Sequence, residues 1–273
     1  LCTNDKGDAE YHAQHDAQLS AHSDTTEVKL DPKTGRLIRD GVPSIINPDD
    51  KNALEEALRI KDENPDTTVT VVSMGPPQAD VAMREALAMG ADEAILISGR
   101  EFGGSDTWAT SYIIATAIKK IPDYDIIFCG RQAIDGDTAQ VGPQIAEQLN
   151  IPQITYVQKL DIEGDKVIVQ RQLEDGYTVV EAKMPVLLTA IKELNTPRYM
   201  TPKGIFEAYN KTVQVWGFND VPVDAEKIGL KGSPTNVNRT FSPEAKGKGI
   251  MLEGADKETV KTLIAKLDEK HLL

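Results

Sequence analysis

The chain contains little sulfur and few imidazoles, and both shortages limit the chemistry open to it. It has two cysteines, Cys2 and Cys129, which excludes a disulfide framework and a zinc site built on several cysteines. Three of its four histidines lie among the first 22 residues, where their spacing suits a solvated segment or a pair of metal ligands. We favour the solvated segment and expect no metal site. Electron transfer would need a bound organic cofactor, since the side chains offer no redox group.

Basic residues and long apolar runs are also scarce. The formal net charge is −13, whereas a protein that binds nucleic acid or an anionic membrane needs a basic surface. No apolar run approaches the roughly 20 residues that span a bilayer, and the first residues lack the pattern of a signal peptide. The sequence therefore predicts a cytoplasmic protein with no membrane span and no nucleic-acid partner.

Segments of strand and helix character alternate in the first part of the chain, after a hairpin predicted around residues 33–35. Apolar, β-branched runs predict strands at residues 68–74, 93–98 and 124–129. Apolar positions at helical spacing predict helices at residues 47–64, 79–90 and 107–120, with another after residue 143. This order predicts βαβ units in a doubly wound, mostly parallel sheet that is covered on both faces.

The pattern changes after Pro152. Alternating residues between 154 and 191 predict antiparallel additions to the sheet, with turns at residues 163–165 and 174–176. Residues 195–255 read as irregular, and residues 255–271 predict a closing helix. One face of that helix carries Val260, Leu263, Ile264 and Leu267. A long irregular stretch with its own apolar residues indicates an extended C-terminal arm that lies over a partner subunit.

Three loops are predicted at the carboxyl ends of the strands, where ligands bind in open α/β sheets. They are residues 74–76, residues 99–106 and the segment 130–141, which reads GRQAIDGDTAQV. The start of the first helix, at Asn47 and Pro48, can join them. No Walker lysine follows a glycine pattern and no GxGxxG follows a strand, so neither usual nucleotide fingerprint is supported.

Segment 130–141 can bind a phosphate without either fingerprint. Backbone amides of residues 137–141 lie at a predicted helix start, where the helix dipole favours anions. Thr138 and Gln140 supply further donors, and Gly136 and Gly142 permit close approach of the backbone. The alternative is an ordinary helix-capping loop with Asp-Gly turn chemistry.

Charged residues in the same segment leave more than one interpretation open. Asp135 and Asp137 do not suit direct contact with a phosphate; they can cap the helix, hold ribose hydroxyls or accept hydrogen bonds from the loop. Arg131 can place positive charge beside an anionic ligand or form a surface ion pair. The glycine-rich residues 99–106 have a weaker claim, because Ser105 as an N-cap is common in connecting loops.

The sequence GRQAIDGDTAQVGP, with NPDD upstream and LNTPRY downstream, resembles the beta subunit of electron-transferring flavoprotein. The resemblance runs from about Thr25 to the C-terminus and includes MREALAMGADEAILIS, a stretch typical of that family. It implies an α/β domain of the adenine-nucleotide-binding type at residues 25–190. It also implies a docking loop and an arm that wraps the alpha subunit at residues 191–273. Residues 1–24 fall outside the resemblance, and we expect them to be poorly ordered.

The resemblance implies a cofactor site as well. In the family, an adenylate lies over the segment that matches residues 130–141 and touches the segments that match residues 47–50 and position 74. The implied cofactor-binding residues are Asn47, Pro48, Asp49, Asp50, Met74, Gly130, Arg131, Gln132, Ala133, Ile134, Asp135, Gly136, Asp137, Thr138, Ala139, Gln140 and Val141. Arg131 becomes a candidate for stabilising a bound flavin or its phosphates. No residue is implied as catalytic, since the family moves electrons through flavins.

Two forms of the family leave the ligand open. In one form, the beta subunit holds AMP as a structural ligand, and the single FAD lies mainly on the alpha subunit. In the other, FAD occupies the beta site, accepts hydride from NAD(H) and splits the electrons between the alpha-subunit FAD and a low-potential acceptor such as ferredoxin. DGDTAQVGP resembles this second, electron-bifurcating form, and small residues at Gly136 and Ala139 are compatible with the larger ligand.

The implied function is therefore an electron carrier within an NAD-linked, FAD-dependent oxidoreductase complex. A stress-type ATP-binding module on a similar fold is the alternative outside redox chemistry. Segment 130–141 and LNTPRY do not support that alternative.

LNTPRY resembles the loop through which the family docks acyl-CoA dehydrogenases. The implied docking residues are Leu194, Asn195, Pro197, Arg198 and Tyr199, with Leu194 as an exposed anchor. The alternative is that Leu194 packs against Tyr199 or the core. The implied partner is a flavin dehydrogenase of the acyl-CoA or lactate type.

Two features depart from the family, one of which is Thr178 at a position where many members carry Glu. Family members also begin with a central strand, whereas residues 12–24, HAQHDAQLSAHSD, do not read as a buried parallel strand. Either the sheet lacks this strand or residues 1–23 differ from the native chain, and we favour the second explanation.

Overall fold

The structure, a computed structural model, describes residues 2–3, 9–12, 45–121, 123–134, 136–235 and 249–273. For residues 2–3 and 9–12 it describes the backbone alone. The chain divides into two compact units, Leu1–Val237 and Asn238–Leu273. The hairpin predicted around residues 33–35, most of the segment 1–24 and the side chain of Asp135 lie outside the described residues.

Helices and strands alternate in the first unit. Its described helices are α1 (Pro48–Glu63), α2 (Asp80–Met89), α3 (Thr107–Ile118), α4 (Val141–Leu149), α5 (Pro202–Ala208) and α6 (Gly229–Gly232). Its described strands are β1 (Cys2–Thr3), β2 (Ala9–His12), β3 (Thr70–Met74), β4 (Glu93–Ile97), β5 (Ile126–Gly130), β6 (Gln153–Glu163), β7 (Lys166–Gln172), β8 (Tyr177–Lys183), β9 (Val186–Ala190) and β10 (Val213–Trp216). The helices and strands predicted between residues 47 and 149 are confirmed, with small displacements at their ends.

The strands form a mostly parallel sheet with antiparallel additions, made of two hydrogen-bonded halves of five strands each, so the predicted α/β class is confirmed. In one half, β2, β3, β4 and β10 pair in parallel order; in the other, β5 and β6 each pair in parallel with β9. β6, β7 and β8 continue that half as an antiparallel ladder, with the predicted turns between them. β2 lies beside β5, where the two halves meet.

The strand β2 corrects part of the expectation that residues 1–24 are poorly ordered, because Ala9–His12 form a strand. Its backbone runs parallel to β3, with Tyr11 opposite Val71 and His12 opposite Val72. A strand of four residues is held by its main-chain N–H and C=O groups, so it forms without the apolar run that a sequence pattern detects. The expectation of poor order for the rest of residues 1–24 stays a prediction.

Two layers of helices cover the sheet, which makes it doubly wound. Leu54 of α1 and Met83 of α2 are buried on one face. Ile113 of α3 and Ile145 of α4 are buried on the other. Successive residues of β5 alternate between these two cores, and the thiol of Cys129 is wholly buried in the second.

Residues 195–255 are less irregular than predicted. They contain α5 and β10, and β10 pairs in parallel with β4 at the edge of the sheet. The run VQVW that forms β10 is too short for its periodicity to distinguish a strand from a loop. Tertiary pairing with a neighbouring strand decides its conformation.

The second unit contains α7 (Lys257–Asp268), which confirms the closing helix. The carboxylate of Asp256 accepts a hydrogen bond from the amide of Thr259 and caps this helix. Val260 and Ile264, on its predicted apolar face, are exposed. Contact of this face with an alpha subunit stays a prediction. Among the described helices of the chain, none combines the length and apolar character that a membrane crossing requires.

Candidate functional site

The first turn of α1 is hydrogen-bonded to the start of segment 130–141. The Asn47 side chain does not cap α1; its Nδ2 instead donates to the carbonyl oxygen of Gln132, 2.8 Å away. Two residues into the helix, Oδ1 of Asp50 accepts from the amide of Gly130 at 2.5 Å. The two predicted parts of the site are therefore in direct contact.

This contact requires glycine at position 130. A Cβ atom there would lie 2.7 Å from the amide nitrogen of Asp50 and 2.9 Å from the carbonyl carbon of Asp49. Both are backbone atoms of a helix start, which Pro48 stiffens at the first helical position. The absence of a side chain at Gly130 lets the helix and the strand end approach.

Asp50 is a buried carboxyl, 2% exposed. Burial raises its pKa from 3.8 to about 7, although hydrogen bonds from the Gly130 amide and the Asn47 side chain oppose the rise. The negative charge of Asp49 raises the pKa further. The group that holds segment 130–141 to α1 therefore gains and loses its proton near neutral pH.

Arg131 lies between α1 and β6. Its Nε is 3.3 Å from Oδ2 of Asp49, which establishes the ion pair, but Nε is buried and makes no directional hydrogen bond. Its guanidinium carbon lies 6.0 Å from the centre of the Tyr156 ring. Tyr156 occupies a bulge of β6 with a φ of 58°, and its amide donates to Oγ1 of Thr189 at 3.1 Å. Burial raises the pKa of Asp49, and the Arg131 guanidinium opposes this rise.

The middle of segment 130–141 is closed by its own hydrogen bonds. The side-chain amide of Gln132 donates to Oδ1 of Asp137, and the backbone amide of Asp137 donates to the carbonyl oxygen of Ala133 at 2.9 Å. Asp137 thus accepts from the loop, one of the roles predicted for it. Its amide is engaged, so its predicted availability to a phosphate is wrong. Asp137 and Ala139 both have a φ of 53°, a left-handed conformation that costs energy in a residue with a side chain.

The outer part of the segment faces solvent. Its exposed residues are Ile134, Gly136, Asp137, Thr138 and Gln140. Oε1 of Gln140 accepts from Oγ1 of Thr107 at 3.0 Å, which ties the segment to the start of α3. Val141 is buried where α4 begins. Among the described residues, the amides of residues 138–141 have no hydrogen-bond partner, so this helix start presents donors outward.

The other two predicted loops contribute differently. Met74 ends β3 and its side chain is buried. The glycine-rich residues 99–106 hold a later part of the chain, because Oγ of Ser105 accepts from the amide of Gly229 at 2.9 Å. Asp106, rather than Ser105, caps α3 by accepting from the amide of Ala109. This loop serves the fold.

The predicted docking residues are divided between core and surface. Leu194 is 9% exposed and belongs to the hydrophobic core, so the expectation of an exposed leucine anchor is wrong and the core alternative is confirmed. Pro197 is half-buried. Tyr199 is 96% exposed and presents the large apolar surface of this segment instead.

Asn195 faces α1. Its Nδ2 donates to the carbonyl oxygen of Asn52 at 2.9 Å and to Oε2 of Glu56 at 2.8 Å. In return, Nδ2 of Asn52 donates to the backbone oxygen of Asn195 at 2.8 Å. Burial raises the pKa of Glu56, and the bond from Asn195 opposes that rise.

Arg198 faces the same helix. Its guanidinium donates to both carboxylate oxygens of Glu55, at 2.8 and 3.1 Å, and to Oδ2 of Asp62 at 2.7 Å. Its backbone amide also donates to Glu55, at 3.0 Å. Hydrogen bonding to Glu55 raises the pKa of Arg198. The sequence patterns singled out neither Glu55 nor Asn52.

The doubly wound sheet and the clamped segment at the end of β5 define an α/β domain of the kind that binds ligands at strand ends. A family model described as the electron transfer flavoprotein domain matches residues 34–221. The chain is 61% identical over 251 residues to the electron transfer flavoprotein subunit beta of Thermoanaerobacterium thermosaccharolyticum, a match that covers 92% of this chain and 96% of that protein. The chain therefore belongs to the electron transfer flavoprotein family, among its beta subunits, which pair with an alpha subunit.

Two further relatives carry the names of reductase complexes. The chain is 58% identical over 251 residues to the caffeyl-CoA reductase-Etf complex subunit CarD of Acetobacterium woodii, with 92% of this chain and 96% of that protein covered. It is 53% identical over 246 residues to the acryloyl-CoA reductase electron transfer subunit gamma of Anaerotignum propionicum, with 88% and 92% covered.

Proposed function

We propose that the chain holds FAD on segment 130–141 and the first turn of α1, as the beta subunit of a heterodimeric, electron-bifurcating flavoprotein. The observation that carries this proposal is a set of polar atoms without a hydrogen bond among the described residues. Oδ1 of Asn47 is buried and unpaired, Nε of Arg131 is buried with only the ion pair to Asp49, and the amides of residues 138–141 lie at a mostly solvent-facing helix start. An unpaired buried oxygen is costly, and a nucleotide would offer a hydroxyl donor to Asn47 and phosphate acceptors to Arg131 and to these amides.

The charges around these atoms fit a dinucleotide diphosphate. The start of α4 and the Arg131 guanidinium supply positive potential, as anion sites at helix starts do. The nearby carboxylates are already engaged, Asp49 with Arg131 and Asp137 with Gln132. Repulsion of a phosphate is therefore partly offset.

The outer side of the segment has room for a ligand as large as FAD. A Cβ atom added at Gly136 would meet only the Cβ of Ala133, at 3.9 Å, so the outer side of the segment is open. FAD bound there would supply acceptance of hydride from NADH and delivery of single electrons to the alpha-subunit FAD and to a low-potential acceptor such as ferredoxin. The residues of this chain would bind and orient that cofactor and its phosphates. Two relatives are named for CoA reductases, which favours a flavin dehydrogenase of the acyl-CoA type as the partner.

The test is a cofactor count on the heterodimer. The complex is purified without added nucleotide and denatured, and the released FAD and AMP are measured by chromatography. Two FAD molecules per heterodimer would support the proposal. One FAD with one AMP would overturn it in favour of a subunit that holds AMP as a structural ligand.

A further inference from the structure

We propose that segment 194–199 is a positioning element for the nucleotide site. Through α1, Asn195 and Arg198 set where the first turn of that helix holds Gly130 and Gln132. The inference rests on the proposed function and extends it, because it gives this segment a role at the cofactor site in addition to any docking of a partner.

Segment 194–199 is hydrogen-bonded to α1 along most of the length of the helix. Asn195 contacts the helix at Asn52, two residues after Asp50, and Arg198 reaches from Glu55 to Asp62. With a rise of about 1.5 Å per residue, Glu55 and Asp62 lie about 10 Å apart along the axis, on one face. The segment therefore fixes both the rotation and the axial position of α1.

Most polar side chains of α1 that make these contacts are buried, so they require the hydrogen bonds from the segment. Asn52, Glu55 and Glu56 are each less than a tenth exposed, and Asn195 and Arg198 supply their hydrogen bonds. Separation of the two elements would leave buried polar groups and a buried charge unpaired, which is strongly destabilising. A displacement of the segment is thus transmitted to the helix.

The helix passes such a displacement to the cofactor site. The bonds from Asn47 to Gln132 and from Gly130 to Asp50 lie in the first turn of the same rigid element. At Gly130 the backbones already stand at their closest approach, so small shifts there alter the geometry of segment 130–141.

A second link is electrostatic. The charge of Glu193, which immediately precedes the segment, raises the pKa of Asp49, and that of Lys192 lowers it. Asp49 is the ion-pair partner of Arg131. The two residues that precede the segment are therefore within electrostatic reach of Asp49, the partner of the cation proposed to face the cofactor.

The test compares two variants that each weaken one ion pair of α1. Arg198→Lys keeps the charge but loses the two-pronged contact with Glu55. The matched control is Glu85→Gln, which breaks the pair with Lys51 at 2.5 Å and leaves segment 194–199 intact. If Arg198→Lys fails to fold, Asp62→Asn is the milder variant, because it weakens only the exposed contact of Arg198 with Asp62. Each is made in the full chain with its alpha subunit.

Two readouts are taken well below the unfolding temperature. Titration calorimetry gives the Kd for AMP and for FAD on cofactor-stripped protein, and hydrogen exchange gives the opening rate of the Gly130 amide. We expect Arg198→Lys to weaken nucleotide binding about fivefold and to speed that exchange, whereas Glu85→Gln does neither. Asp62→Asn should shift both readouts in the same direction by less.

The outcomes separate the two proposals. Equal affinities and equal Gly130 exchange in Arg198→Lys and Glu85→Gln would overturn the positioning role. If wild-type protein binds neither AMP nor FAD, the proposed function fails, yet faster Gly130 exchange in Arg198→Lys alone would still support the mechanical link.

Discussion

Replacement of Gly130 by alanine tests the contact on which the site depends. The added Cβ would stand 2.7 Å from the Asp50 amide nitrogen and 2.8 Å from its Oδ1, both below the 3.0 Å that real Cβ atoms keep. The strand end and α1 must therefore separate by about 0.5 Å or more, which stretches the 2.5 Å bond from Gly130 to Asp50 to about 3 Å. Overpacking of this kind costs about 1–3 kcal/mol.

The control lies six residues away in the same segment. Gly136→Ala adds the same methyl group where the nearest heavy atom is 3.9 Å away, so it should leave stability within about 0.5 kcal/mol. Both variants are compared by urea unfolding and by calorimetric titration with FAD. We expect Gly130→Ala alone to lose stability, and we expect it to bind FAD about tenfold more weakly than the unaltered chain. Equal free energies of unfolding in the two variants would refute the reasoning that only glycine fits at 130.

Four further substitutions test other parts of the site. The raised pKa of Asp50, about 7 against 3.8, means that the folded chain retains a proton which the unfolded chain releases, so this group lowers stability as pH rises from about 4 to about 7. Asp50→Asn should remove up to about 3 kcal/mol of that pH dependence between pH 5 and pH 8, measured as urea midpoints at the two pH values; an unchanged slope would contradict the assignment. Arg131→Gln should weaken FAD retention about tenfold without moving the alpha-subunit flavin; unchanged FAD content and flavin potentials would argue against contact with the cofactor. Leu194→Ala should destabilise the fold by about 2–5 kcal/mol, whereas Tyr199→Ala should leave stability intact and slow electron transfer to the dehydrogenase; the reverse pattern would restore Leu194 as the anchor.

Much of the fold can be predicted from the sequence, because the patterns that mark its helices and strands are local. Residues 68–74 and 93–98 are apolar runs bounded by glycine or proline, and the start at Asn47-Pro48 marks α1 within one residue. The sequence does not predict β10, because four residues are too few to show a periodicity. Its extended conformation depends on pairing with β4. The sequence does not predict β2 either, because its bonds are main-chain bonds.

The site is legible in part. The end of β5 and the start of α1 can be named as neighbours from topology, but the bond that joins Gly130 to Asp50 cannot. Glu55 lies in a helix with many charged residues. The sequence alone does not distinguish a buried glutamate in such a helix from an exposed one. The burial of Leu194 likewise depends on which neighbours the fold brings to it.

The thiol of Cys129 gives the chain an internal reporter of opening. Burial raises the pKa of this thiol to about 12, and the negative charge of Asp50 adds a smaller effect in the same direction, so the reactive thiolate is almost absent at neutral pH. Alkylating reagents and peroxides should therefore reach this sulfur only when β5 and its covering helices come apart. In a Cys2→Ser background, the rate of iodoacetamide labelling would therefore measure this local opening. Nucleotide bound at the neighbouring Gly130 should slow the labelling.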